Sequence, residues 1–117
     1  MLKYILILIF ALPIAMAAQM TYVPDDNFEQ ALIDFGYDSL PLNDSIPTKN
    51  IDTVTYLDVS KKYISSLTGI EDFKALTELY CYLNTLTSLD VSKNTALTRL
   101  DCIYNSLKSL DVSQNQL

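Results

Sequence analysis

The chain repeats itself. Residues 76–96 (LTELYCYLNTLTSLDVSKNTA) and 97–117 (LTRLDCIYNSLKSLDVSQNQL) align without a gap, with 12 of 21 positions identical. The shared positions form a skeleton: Leu76/Leu97, Leu79/Leu100, Cys81/Cys102, Asn84/Asn105, Leu86/Leu107, Leu89/Leu110, Val91/Val112 and Asn94/Asn115. Residues 54–75 carry the same skeleton in a 22-residue form. There Leu57, Val59, Ile64 and Leu67 take the apolar slots, and Lys62 stands where the asparagine is expected. A fixed period of this size is the mark of stacked coils, because one coil cannot bury its own apolar face and must share a core with its neighbours.

The spacing L-x-x-L-x-(C/V)-x-x-N-x-L matches the leucine-rich-repeat consensus, with a strand over the x-L-x-C-x portion. Alternation along that strand sends Leu79 and Cys81 inward and Glu78, Tyr80 and Tyr82 outward. Where the chain turns, an inward asparagine satisfies backbone groups that the turn would otherwise bury unpaired. Asn84 and Asn105 are thus expected to form an asparagine ladder. The expected fold is an α/β repeat solenoid, a leucine-rich repeat with parallel strands on the concave face and an N-terminal helical cap. A parallel β-helix has coils of similar length, but the asparagine position and the helix favour the leucine-rich repeat.

That helix is legible before the repeats. Asp25 is placed as its N-cap, Phe28, Ala31, Leu32 and Phe35 follow at i, i+3, i+4 and i+7, and Gly36 stands at C′. An apolar-faced helix here is positioned to cover the first coil. Residues 38–53, with Pro41, Asn43, Asp44, Pro47 and Asn50, read as an irregular connector, with Ile46 and Ile51 expected to begin pairing with the first coil. The domain plan is a signal peptide over 1–17, cap and connector over 18–53, and about three coils over 54–117 with no C-terminal cap.

Residues 1–17 have the composition of an export signal. Lys3 gives a positive n-region, Tyr4 to Leu12 an apolar h-region, and Ala15-Met16-Ala17 a small-x-small cleavage pattern. The apolar run is shorter than the roughly 20 residues of a membrane span, although an uncleaved anchor is the alternative. No cysteine follows the h-region, so no lipobox is present. Removing Lys3 takes the net charge from −6 to −7. Such a domain lacks the Lys/Arg surplus that nucleic acid or an anionic membrane requires. The expected location is secreted or cell-surface, with no membrane insertion after cleavage.

The 21-residue period, the cysteine in a slot usually held by leucine or asparagine, and the phrase LDVSKNTALTxL together resemble repeats of the bacterial internalins. Residues 64–79 (ISSLTGIEDFKALTEL) are similar to the 22-residue internalin repeat, and residues 22–39 (YVPDDNFEQALIDFGYDS) resemble the helical cap before such arrays. The resemblance spans residues 22 to 117. It implies a surface adhesin, and it implies that further repeats and a surface-attachment module follow these coils.

Chemistry beyond binding finds few parts here. The sequence holds no histidine and only two glycines, which leaves no Ser-His-Asp or Cys-His pairing and no phosphate-cradling loop. The chain reads as a non-enzyme without cofactor or catalytic residues. Two cysteines alone make no zinc site, and neither Asp90 and Asp111 nor the acidic residues near the helix form a calcium loop, so no metal is expected. Cys81 and Cys102 should sit side by side on neighbouring strands. A spacing of about 4.8 Å suits a disulfide at Cα and exceeds its usual Cβ separation, so buried thiols are the expectation and a disulfide the alternative.

What remains is the outward strand face: Tyr56, Asp58 and Ser60 from the first coil, Glu78, Tyr80 and Tyr82 from the second, and Arg99, Asp101 and Ile103 from the third. Aromatic residues among charges resemble a recognition surface for a protein or glycan. Tyrosine is also simply favoured on strands, and Glu78 with Arg99 could be a cross-strand pair. The two functional expectations are a binding module working through this face and a structural cap and spacer of a longer array.

Overall fold

The computed structural model describes residues 3–9, 11 and 17–117. Of the expected signal segment, residues 1, 2, 10 and 12–16 lie outside the described residues, Ala15 and Met16 of its cleavage motif among them. No helix among the described residues is long and apolar enough to cross a membrane. In chain order the elements are strand β1 (Met20–Tyr22), helix α1 (Asp26–Asp34), strand β2 (Ser45–Pro47), a 3-10 turn (Thr48–Asn50), strand β3 (Tyr56–Asp58), a second 3-10 turn (Ile70–Asp72), and strands β4 (Glu78–Tyr80) and β5 (Arg99–Asp101).

The three coils stack as the period requires. β3, β4 and β5 form one parallel sheet, in which Leu57 faces Leu79 and Leu79 faces Leu100. The regular strands are only three residues long, yet the ladder runs further. Val59 N–H donates to Tyr80 O, Lys61 N–H to Tyr82 O, Cys81 N–H to Asp101 O and Leu83 N–H to Ile103 O. Leu57, Val59, Ile64, Leu79, Cys81, Leu86 and Val91 are buried in one continuous core, Leu89 is half-buried against it, and Leu100, Cys102, Leu107 and Val112 of the last coil pack on it less completely.

Between the coils run two ladders of asparagines. Asn84 Oδ1 accepts from Lys62 N–H and Ile64 N–H, and its Nδ2 donates to Val59 O and Cys81 O. Asn105 repeats this one coil later, accepting from Leu86 N–H and donating to Cys81 O and Cys102 O. The second ladder lies at the far end of the coil. Asn94 donates to Ile70 O and Phe73 O, and Asn115 to Val91 O and Asn94 O. In every case the side chain reaches back to the coil before its own. The first coil has no preceding coil, and it carries Lys62 and Phe73 in the two asparagine slots.

The N-terminal unit lies against that first coil. Asp25 caps α1 through Oδ1, which accepts from Phe28 N–H, while Oδ2 accepts from Ser65 N–H, Ser65 Oγ–H and Ser66 N–H. Phe28 stacks on Phe73 with ring centroids 6.3 Å apart. Asn27 donates to Tyr63 O. Lys62 Nζ lies 5.7 Å from the centre of the Phe35 ring.

Two sequence expectations need correction. The stretch 38–53 is not wholly irregular: Ile46 lies in β2 and pairs with Thr21 of β1, antiparallel, rather than with the first coil. Thr21 is then buried between Thr48 and Asp72, with Oγ1 2.8 Å from Thr48 Oγ1 and donating to Asp72 Oδ2 at 2.7 Å. Phe35 is the helix C-cap and stays 44% exposed instead of completing the apolar face. Gly36 does take the left-handed C′ position, at φ 84°. Gly69 is held at φ 108°, where an added Cβ would stand 2.8 Å from Tyr22 O, so glycine there permits the close approach of β1 to the first coil.

Two stability experiments follow. Asn84 is buried and satisfies four backbone groups, so Asn84→Ala should cost about 3 kcal/mol or more in urea unfolding. Asn105→Ala, at a half-buried site that water can reach, should cost about half as much; equal costs would contradict the ladder account. Burial alone would raise the Asp25 carboxyl, but its hydrogen bonds to Phe28, Ser65 and Ser66 outweigh this and hold it below 3.8. The stabilisation is then complete above pH about 4 and lost as pH falls through the lowered folded value. Thermal midpoints should drop more steeply below pH 4 for the parent than for Asp25→Ala, which at neutral pH should already be weaker by about 1 kcal/mol.

Candidate recognition surface

The expected site residues are brought together in three rows across the sheet. Parallel register aligns Tyr56 with Glu78 and Arg99, and Asp58 with Tyr80 and Asp101. The ladder beyond the strands aligns Ser60 with Tyr82 and Ile103. Tyr56, Arg99 and Ile103 are exposed, while Asp58, Ser60, Glu78, Tyr80, Tyr82 and Asp101 are half-buried among one another. All nine lie on the side opposite Leu57, Leu79 and Leu100, because strand side chains alternate.

The face is ordered by its own side chains. The Tyr56 and Tyr80 rings lie 5.5 Å apart, tilted by 45°, within the range of favourable aromatic pairing. Tyr80 donates its hydroxyl to Glu78 Oε2 at 2.9 Å. That bond, followed by lost solvent contact, holds the phenol above its ordinary value, although Arg99 pulls the other way. Tyr80 is therefore a neutral donor at physiological pH. Asp58 and Asp101 each turn one carboxylate oxygen onto a backbone N–H two residues on, Ser60 and Ile103 respectively, which fixes them on either side of Tyr80. Lys61 Nζ sits 5.7 Å from the centre of the Tyr82 ring, a cation–π contact.

Sequence reasoning missed the turn residues at the end of this face. Tyr63, Leu83 and Tyr104 are 82%, 46% and 71% exposed. Their signal was available: the turns that hold them contain large apolar groups where polar residues are usual. It also missed Glu29, which is fully buried on α1 and accepts from Asn43 N–H and Asp44 N–H. Asp26, Glu29 and Asp44 bring carboxylate oxygens within 4.8 Å of one another, but the two Glu29 oxygens are engaged by backbone, so this group anchors the loop before β2.

No family model matches the chain. Over 74 residues, 63% of its length, it is 39% identical to Internalin J of Listeria monocytogenes and is a homologue of it there; those residues span 8% of that protein. Among solved structures, the functional domain of InlJ from Listeria monocytogenes, described as including a cysteine ladder, superposes with a TM-score of 0.71 at 37% identity, covering 85% of this chain and 22% of that one. The internalin InlF of the same species matches with a TM-score of 0.70 at 23% identity, over 81% of this chain and 28% of that one, which bears on the fold alone. The coils are internalin-like leucine-rich repeats.

Cys81 and Cys102 occupy equivalent positions on neighbouring coils and are unbridged in this structure. Burial first, then the neighbouring Cys102, Asp101 and Asp58, push the Cys81 thiol up to about 12. Cys102 is half-buried, and its thiol is raised by burial and by Asp101. Reaction with an alkylating agent needs an accessible thiolate. Iodoacetamide at neutral pH should modify Cys102 slowly and Cys81 only after unfolding. Equal labelling of both in the native protein, read by mass spectrometry, would contradict the burial; resistance of both after unfolding without reductant would reveal a disulfide.

Proposed function

We propose that this chain is an exported, non-catalytic leucine-rich-repeat module that recognises a protein partner through the outward strand face. The observation that carries the reading is the Tyr56–Tyr80 pair, with Tyr80 held by Glu78 and flanked by Asp58 and Asp101. Fixed aromatic groups among oriented charges lose little freedom on binding, which is what interface anchors need. Export is supported by the pattern of Lys3, the apolar run to Leu12 and Ala15-Met16-Ala17. We read β1, α1 and β2 as the N-terminal cap, because they engage the one coil whose asparagine slots hold Lys62 and Phe73.

A second reading is favoured by the chain's 8% span of Internalin J: cap and spacer of a longer array that binds elsewhere. Fluorescently labelled chain applied to intact cells separates the two. Recognition of a protein predicts binding that is removed by protease treatment of the cells, survives glycosidase treatment, and weakens at least about tenfold in Tyr56→Ala/Tyr80→Ala at unchanged thermal midpoint. Loss on glycosidase treatment would make the ligand a glycan. Parent and variant binding equally poorly would leave the spacer reading.

A further inference from the structure

The three turn segments after the strands, 59–64 (VSKKYI), 81–86 (CYLNTL) and 102–107 (CIYNSL), contain no acidic residue, although the chain has 14 Asp and Glu. They contain two lysines instead. They also hold exposed apolar and aromatic groups at this edge of the sheet: Tyr63 at 82%, Leu83 at 46%, Ile103 at 58% and Tyr104 at 71% exposure. The ladder sets them side by side, since Lys61 N–H donates to Tyr82 O and Leu83 N–H to Ile103 O. The edge is thus an apolar ridge that starts at a cation, on a molecule that is otherwise acidic.

Backbone geometry makes the choice of residues informative. Lys61, Leu83 and Tyr104 are equivalent positions of successive coils, and their φ angles are 58°, 54° and 54°. The left-handed region favours glycine and asparagine and is uncommon for bulky side chains. The turn needs only that backbone conformation, which asparagine would supply without exposing apolar surface. A large apolar residue in two successive strained positions is unfavourable both for the backbone and for solvation, a combination found where a binding surface requires it.

We propose that Tyr82, Leu83, Ile103 and Tyr104, with Lys61 at their first-coil end, form a docking ridge for a protein segment that carries apolar side chains beside carboxylates. The apolar groups would bury against Leu83, Ile103 and Tyr104. Lys61 gives a carboxylate its partner at the end of the ridge where the turns hold no acidic residue, while Asp58 and Asp101, whose carboxylates are turned onto Ser60 and Ile103 N–H, bound the ridge on its strand side. The proposal shares with the preceding reading only that the partner is a protein; the surface is the edge of the sheet and not the Tyr56–Tyr80 face.

Random short peptides displayed on phage and selected against the full chain provide the probe. Selected peptides should combine Asp or Glu with Leu, Ile, Phe or Tyr, and should bind Leu83→Asn/Tyr104→Asn at least about tenfold more weakly. Asparagine suits the left-handed backbone, so that variant should melt no lower than the parent. Lys61→Glu should weaken the same peptides, and Asp90→Ser should not. Selection of basic peptides, or equal binding by parent and ridge variants, would overturn the ridge. Peptides lost on Tyr56→Ser/Tyr80→Ser but kept by the ridge variants would also overturn it, while leaving the strand-face reading standing.

Discussion

The backward reach of the asparagines is the interaction on which the other features depend. A strand that turns sharply into a buried return leaves N–H and C=O groups pointing at the core, where each unpaired group would cost on the order of 1–3 kcal/mol. Asn84 meets four of them at once, two as acceptor and two as donor. A primary amide offers two donor hydrogens and two acceptor lone pairs, enough for all four, whereas a hydroxyl has one donor and leucine has neither function. Because three of those groups belong to the preceding coil, the asparagine also fixes register: a slip by one residue would misplace every bond. Apolar packing brings the coils together, and the amides decide how.

The same directionality explains why the first coil departs from the consensus. Its turn backbone is served by Asn84 from the coil behind it, so an asparagine of its own would have no earlier coil to serve. Lys62 extends instead over Phe35, and Phe73 fills the second slot and stacks on Phe28. Asp25 then joins helix to coil by giving one oxygen to the helix N-terminus and the other to Ser65 and Ser66. A single carboxylate thus couples the formation of α1 to the docking of the N-terminal unit.

The repeat fold was legible because its determinants are local and periodic. Leucine spacing, strand alternation and the asparagine slot each recur at the same interval, so register and the outward positions Tyr56, Glu78, Tyr80 and Arg99 follow from counting. The helix cap at Asp25 and the C′ glycine at Gly36 were legible for the same reason. What escaped counting was non-local. Nothing near Thr21 or Ile46 in sequence announces that they pair across 25 residues, and the second role of Asp25 depends on Ser65, 40 residues away. Asn94 and Asn115 were visible as repeated residues, but their ladder emerges only when Ile70 O and Val91 O are seen to face them.

The division between inner and outer positions determines where this molecule can vary. Inward residues answer to two neighbouring coils, so replacing Leu79 or Asn84 disturbs packing on both sides. Outward residues answer only to each other, and here they are sorted. Carboxylates flank the tyrosine pair in the middle of the sheet, whereas the turn edge carries lysine, leucine, isoleucine and tyrosine without an acidic group. Mixing the two sets would serve solubility equally well, because that property depends on net charge and on the absence of large apolar patches. Segregation across the rows instead creates a chemical gradient over three strands, with spacing set by the ladder. A partner that matched both halves would be held in one orientation along the strands, since reversal would place its carboxylates against Asp58 and Asp101.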